Sequence, residues 1–176
     1  PLPDNKIKAI GKLKIYDGCK GFIAFEERFY PTVIDMGAGE DGPRLYYDGA
    51  YGHNSKDNIL GFAAIGEKSK PYTALKDPER INFMLNELDQ IFNGQASKNY
   101  IKHVFKDWSS DPFSKGAYNS GSNIISDYKS VKAMSIPIGN KLFFAGDLYT
   151  DGSLWSTVGA AASAARKAVE KLVGKL

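Results

Sequence analysis

Hydrophobic residues recur along this chain with two periods. Between 77 and 94, Ile81, Met84, Leu85, Leu88, Ile91 and Phe92 stand three and four apart, one continuous stripe. Asp77 is a good N-cap, Pro78 suits the first helical position and Gly94 follows the end, so the spacing predicts a helix over 78–92. GFIAFEERFY (21–30) alternates instead. Phe22, Ala24 and Glu26 share one side, Ile23 and Phe25 the other, which predicts a strand buried on both faces near its start. RLYYDGAYG (44–52) and NILGFAAIG (58–66) are β-prone runs joined by polar HNSKD, the pattern of an antiparallel hairpin. YIKHVFKDW (100–108) sets Ile101, His103 and Phe105 against Lys102, Val104 and Lys106, another strand. TVIDMGAGEDGP (32–43) is rich in turn-formers and reads as a loop.

The two ends are helical. In DNKIKAIGKLKI (4–15) the apolar residues at 7, 10, 13 and 15 fit a helix better than a strand, although Gly11 weakens it by about 1 kcal/mol relative to alanine. Near the C-terminus, Leu142 to Ala145 form a short apolar run that leads into Gly146-Asp147, a polar loop and an alanine-rich helix from about Ser156 to Leu172. Val158, Ala161, Ala162, Ala165, Val169, Leu172 and Val173 fall on one side of that helix. Residues 109–123 are Ser, Gly, Asn and Asp around Phe113 and Tyr118, a long irregular stretch whose aromatics favour order. Together these elements predict an α+β fold: a mixed, largely antiparallel sheet of about five or six strands with helices packed on one face.

Composition narrows the function. At 176 residues the chain can form one well-cored domain or two small ones. Its 23 basic residues are scattered among 20 acidic ones, and the densest basic stretch (Lys6, Lys8, Lys12, Lys14) is interrupted by apolar residues. That is a solvated face, and it argues against nucleic acid as a partner. Cys19 is the single cysteine, so no internal disulfide forms, and His53 and His103 have no partner at metal-ligand spacing. No apolar run approaches membrane-spanning length. The chain begins Pro-Leu-Pro rather than Met, and we expect a fragment of a longer protein, with localisation unreadable.

Three stretches could carry chemistry. Gly146-Asp147 follows an apolar run, where a carboxylate can accept hydrogen bonds from sugar or ribityl hydroxyls, and the helix after it would offer free N–H groups to an electron-rich carbonyl or phosphate. On spacing alone, a turn-capping Asp147 is the commoner case. Lys20 begins an apolar strand, where desolvation would lower its pKa and suit it to orienting water, though most such lysines snorkel off strand ends. Trp108, Phe113 and Tyr118 lie in a Gly- and Ser-rich loop, where they could equally line a pocket or plug a core.

Taken in order, these stretches resemble the C-terminal part of the flavin-containing amine oxidases, the family of monoamine, polyamine and L-amino-acid oxidases. Lys20 is followed by Phe25, Phe29 and the aromatic-proline pair Tyr30-Pro31. A hairpin ends at Gly66, an amphipathic helix follows, and the next strand runs into WSSDPFSKGAY (108–118); PIGNKLFFAGDLY (137–149) and the last helix close the chain. The strongest motifs are W-x-x-D-P-F-S-x-G-x-Y and the terminal FFAGD.

The resemblance implies a substrate-binding domain over 1–141 and, over 142–176, the returning strand and helix of an FAD-binding domain. It implies that Lys20 holds a water on the reacting side of the flavin and that Tyr118 forms one wall of a substrate cage, with Trp108 and Trp155 also facing substrate. Gly146 and Asp147 match the place that meets the ribityl and phosphate region, and Ser156, Thr157 and Val158 the helix start that meets the ring edge. Departures exist: Ser156, with Trp155 adjacent, stands where a second cage aromatic is usual, Ser163-Ala164 replaces Ser-Gly, and no G-x-G-x-x-G loop is present. The parent enzyme would oxidise the C–N bond of an amine or amino acid, passing hydride to FAD and yielding imine and hydrogen peroxide; the 176 residues alone would be inactive and hold no FAD. A desaturase or porphyrinogen-oxidase-like flavoprotein, and a non-catalytic binding module, are the alternatives. Leu142, Phe143 and Phe144 need burial, so 142–176 is expected to pack back on the sheet or to mediate a homodimer. The other expected partner is an N-terminal FAD-binding half.

Overall fold

The computed structural model describes residues 2–39, 42–119, 128–139, 141–149 and 156–174. Its principal elements, in chain order, are α1 (Asp4–Gly11), β1 (Gly18–Phe25), β2 (Val33–Gly39), β3 (Gly42–Asp48), β4 (Asn58–Ile65), α2 (Lys70–Thr73), α3 (Asp77–Phe92), α4 (Gln95–Asn99), β5 (Tyr100–Asp107), α5 (Tyr128–Ser135) and α6 (Val158–Val173). They belong to two units, Tyr16–Tyr118 and, from both ends of the chain, Pro1–Ile15 with Asn119–Leu176.

The first unit is built on a five-stranded sheet in the order β2-β3-β4-β1-β5, every neighbouring pair antiparallel. The expected hairpin is β3–β4, with Tyr46 opposite Phe62. Two expectations are corrected. The strand expected at 21–30 runs from Gly18 to Phe25, and it is buried on one face only, since Phe22 stays 39% exposed while Ile23 and Phe25 are buried. The stretch taken for a loop at 32–43 contains the whole of edge strand β2 and the first residues of β3, and the β2–β3 ladder is interrupted between Asp35 and Ala38. A bulge of this kind admits turn-forming residues into an edge strand.

The helical stripe of α3 covers one face of the sheet. Ile81, Met84, Leu85 and Leu88 are buried with Cys19, Ile23, Phe25, Leu60 and Phe62. Ile91, at the end of the stripe, is exposed. The N-cap is Lys76 rather than Asp77; Asp77 lies within the first turn and binds Arg80 at 3.0 Å and His103 at 3.1 Å. Asn93 and Gly94 end the helix in left-handed conformation.

Apolar burial gives this interface its strength, and a polar pin fixes its register. Glu87 of α3 accepts from Tyr72 at 2.7 Å, from Tyr46 at 3.4 Å and from Arg44 at 2.9 Å, and Arg44 also donates to the Met36 carbonyl at 3.3 Å. Burial first, and then the Glu87 carboxylate, push both phenols well above the usual range, so they remain donors. The Tyr46, Phe62 and Tyr72 rings pack in sequence at 4.8 and 4.5 Å.

The opposite face carries Lys20, Phe22 and Ala24 of β1. Across the ladders lie Ala63, Gly61 and Ile59 of β4 and Lys106, Val104 and Lys102 of β5. The Tyr47 ring lies so close over Gly61 that a Cβ there would stand 2.5 Å from it, and it meets Phe22 edge-on at 6.3 Å.

In the second unit α1 packs on α5, with Ala9, Val131 and Met134 buried. The helix expected from the apolar spacing forms over Asp4–Gly11, but Ile7 and Ile10 are exposed, while Lys6 is 3% exposed. Its Nζ donates to the carbonyls of Met134 and Ile136 at 2.6 Å each and lies 3.7 Å over the Phe144 ring. Lys6 thus closes the C-terminal end of α5, where carbonyls lack helical partners and a cation is favoured; burial lowers its pKa. Leu142–Ala145, expected as a strand, makes only the isolated bridge Ile138–Leu142 among the described residues, because a strand exists through its ladder and no second strand pairs with it there. On α6 the buried face is Ala160 and Ala164, and the expected Val158–Val169–Leu172–Val173 side is exposed. Alanines let the helix lie close, and that close contact decides the inner face.

Replacing Glu87 with alanine leaves two buried phenols and a guanidinium without their acceptor. We expect Glu87→Ala to destabilise the protein by about 2–4 kcal/mol in chemical denaturation, comparable to Leu88→Ala. A loss below about 1 kcal/mol would show the pin to be dispensable.

Candidate active site

A cavity of about 340 Å³ opens in the sheet unit where β1, β4 and the segment after β5 converge. Its walls include Cys19, Lys20, Ala63, Trp108 and Tyr118, with Ser114, Gly116 and Ala117 between the last two. Lys20, Trp108 and Tyr118 are therefore brought together, although the first two stand 88 positions apart in sequence. Lys20 opposes Ala63 on one side and Lys106 on the other, so a small side chain leaves the space beside its ammonium open.

The loop wall is held by a set of short-range bonds that its sequence dictates. Trp108 N donates to the Gly18 carbonyl at 3.0 Å, and Gly18 N donates back to Ser109 Oγ at 3.0 Å. Asp107 accepts from Ser109 N at 2.9 Å. Asp111 accepts from Phe113 N at 3.0 Å and Ser114 N at 2.9 Å, an Asx turn, and pairs with Lys106 Nζ at 2.6 Å. Lys106 also lies 5.4 Å from the Trp108 ring. Gly116 N returns to the Trp108 carbonyl at 3.2 Å, closing the loop, and Ala117 N donates to Tyr16 O at 2.9 Å. The Lys106 hydrogen bond, and then the two backbone donors, hold the Asp111 carboxyl well below the usual range. Phe113 is 95% exposed and is not among the residues that line the cavity.

Cys19 and Ala63 were not singled out from sequence. Cys19 is 2% exposed, and burial first and the neighbouring Asp107 next push its thiol up to about 12, so it serves as an unreactive wall. The one available signal was the register of a hairpin strand against Lys20, which sequence alone does not supply.

The remaining candidates belong to the other unit. Asp147 accepts from Asn119 Nδ2 at 2.9 Å, and Gly146 before it has φ +155°, a conformation glycine favours. Ser156 is in left-handed conformation (φ +59°) and turns the chain into α6. Thr157 is the N-cap, its Oγ accepting from Ala160 N at 3.1 Å. Val158 is 89% exposed, and a Cβ on Gly159 would meet only Thr157 Oγ, at 3.9 Å. At the positive end of the helix dipole Val158 and Gly159 are thus exposed among the described residues, while Ala160 N is taken by the cap. A carboxylate suited to hydroxyl groups and an open helix start suited to an electron-rich ring edge fit a flavin nucleotide. Trp155 lies outside the described residues. Among the described residues no group of His, Cys, Asp and Glu could hold a metal, and no helix is long and apolar enough to cross a membrane.

The chain matches the flavin containing amine oxidoreductase family over residues 1–173 and belongs to it. It is 28% identical over 152 residues to a lysine-specific histone demethylase 1 homolog 3 of Arabidopsis thaliana, a match covering 84% of this chain and 9% of that protein. Its fold is similar to that of a putrescine oxidase redesigned in cofactor binding (TM-score 0.75, 18% identity, 99% of this chain and 39% of that one). It is likewise similar to the cyclohexylamine oxidase of Brevibacterium oxydans IH-35A (TM-score 0.75, 17% identity, 99% and 38%). The chain therefore spans well under half the length of these relatives. The family's cofactor is a flavin, and the mixed helix and antiparallel sheet agrees with the architecture of its solved oxidases.

Asp111, ionised and paired in the folded state, contributes stability that is complete above the unfolded carboxyl pKa of about 4. That stability is lost as pH falls through its lowered folded value. Asp111→Asn should therefore lower the melting temperature near neutral pH, and the gap to wild type should shrink toward about pH 2. An equal gap at both pH values in thermal unfolding would show that the carboxylate is not the anchor.

Proposed function

We propose that this chain is the substrate-binding region of a flavin-dependent amine oxidase, with residues 142–176 contributing to its cofactor domain. The observation carrying this is the gathering of Lys20, Trp108 and Tyr118 on one cavity over the uncovered face of an antiparallel sheet, in a chain of the amine oxidoreductase family. FAD, which Gly146, Asp147 and the start of α6 would help to hold, would supply the redox chemistry by which an amine and O₂ become an imine and hydrogen peroxide.

The chain's own residues bind and orient. Tyr118 positions the amine, Trp108 closes the wall that keeps water out, and Lys20 holds one water beside the reacting carbon for reoxidation or imine hydrolysis. No dedicated base is needed where the neutral amine reacts. Gly146 and Asp147 would serve the ribityl and phosphate region. The N–H groups at Thr157 and Val158, with Ser156 shaping their approach, would serve the ring edge, where negative charge develops on reduction. The family's dinucleotide-binding half, or a second copy, is the partner we assign to the exposed side of α6. The 176 residues alone are expected to be inactive.

The full-length protein should be yellow and should release peroxide on addition of an amine or amino acid. Lys20→Met should slow flavin reoxidation in stopped-flow mixing with oxygen by about tenfold or more; unchanged reoxidation would remove Lys20 from that role. A colourless full-length protein would leave only a binding module.

A further inference from the structure

The segment after β5 holds in a fixed place a ring that the sheet unit itself leaves bare, and this inference rests on the oxidase assignment above. Phe113, in the 108–118 loop, is the most exposed of the large hydrophobic residues described. The backbone on either side of it is fixed. Pro112 precedes it, with its restricted φ. Asp111 Oδ1 accepts from Phe113 N at 3.0 Å and from Ser114 N at 2.9 Å, and the Asp111 carbonyl accepts from Lys115 N at 2.9 Å. Lys115 then takes a left-handed conformation (φ +53°), which is strained for a residue with a Cβ. Asp111 is in turn tied to Lys106 of β5 at 2.6 Å. Ordering a phenyl ring in this way costs conformational freedom, and a ring left in water offsets none of that.

A single exposed apolar residue is ordinary. This one has company. Trp108 and Tyr118, at the two ends of the same loop, are also exposed. Aromatic rings held rigidly at a surface are what the centre of an interface is made of. Ser114, next to Phe113, lines the cavity together with Gly116, Ala117 and Tyr118. Whatever receives the Phe113 ring therefore borders the place where Lys20 stands.

We propose that Phe113 is the anchor by which the dinucleotide-binding half of the same protein seats against the substrate wall. Length and position identify this occupant. The chain covers 39% and 38% of the oxidases that share its fold, so each of them has further protein to set beside such a loop. A flavin that reaches Lys20 and Tyr118 must be carried up to the cavity by the domain that holds it, and Phe113 stands at that border. The contact would set how far the flavin lies from Lys20, and a ring already ordered lets the seat form without further loss of freedom. It is a second contact, separate from the exposed side of α6, and it belongs to the sheet unit.

The test uses the flavin-loaded full-length protein carrying Phe113→Cys, with maleimide labelling of the 108–118 peptide followed by mass spectrometry. The thiol should react at least about tenfold more slowly than in the same protein unfolded in guanidinium. The slowing should be equal at high and low protein concentration, as a contact within one chain requires. Phe113→p-benzoylphenylalanine, which keeps an aromatic ring in the seat, should crosslink on irradiation to the dinucleotide-binding half. Labelling as fast as in the unfolded protein, protection that dilution removes, or crosslinks confined to residues 1–176 each overturn the anchor while leaving the oxidase assignment intact. A full-length protein that binds no flavin overturns the oxidase assignment, and the anchor with it.

Discussion

A single antiparallel sheet has two faces, and in the sheet unit α3 covers one of them. That contact is where the unit buries its apolar side chains: Leu88 of the helix and Phe62, Leu60 and Tyr46 of the strands are all fully buried. Glu87 ties the same helix to Arg44, Tyr46 and Tyr72, so sliding α3 by one turn would strand three donors. With that side filled, Lys20 and Phe22 on the alternate positions of β1 face the opposite way. The open face follows from the pleat: the residues not needed for the core are those it presents.

What turns that face into a site is the segment after β5. The strand ends where Asp107 caps a turn, and Trp108 and Ser109 exchange hydrogen bonds with Gly18 at the start of β1. Asp111 gathers Lys106 and two loop amides, which brings Tyr118 back over the same ladder. The wall is thus anchored by the strands that carry Lys20, and a binding loop attached in this way keeps its geometry without a core of its own.

The parts of this arrangement visible in sequence were those with a strict period or a rare spacing. The stripe of α3 needs only its 3.6-residue repeat, and the β3–β4 hairpin only two β-prone runs around a polar turn. Trp108, Tyr118 and Lys20 were legible through their order along the chain. β2 was hidden because Asp35, Gly37 and Gly39 read as turn residues, and a bulge lets an edge strand use them. On α6 two apolar arcs compete, and hydrophobicity favours the valines although alanines make the close contact. Lys6 was invisible as a buried residue because its role depends on the carbonyl end of α5, more than 120 positions away. Cys19 and Ala63 carry no chemical signature and enter the site only through register.

We propose that substrate is received on the side of the sheet away from α3, where Lys20 stands. Hydrogen exchange of the full-length, flavin-loaded protein, followed by mass spectrometry with and without a bound amine, tests this most directly. Protection should concentrate in β1, β4, β5 and residues 108–118, leaving α3 unchanged. Protection centred on α3 and α4, with 108–118 unaffected, would place the ligand on the wrong side of the sheet and contradict the account.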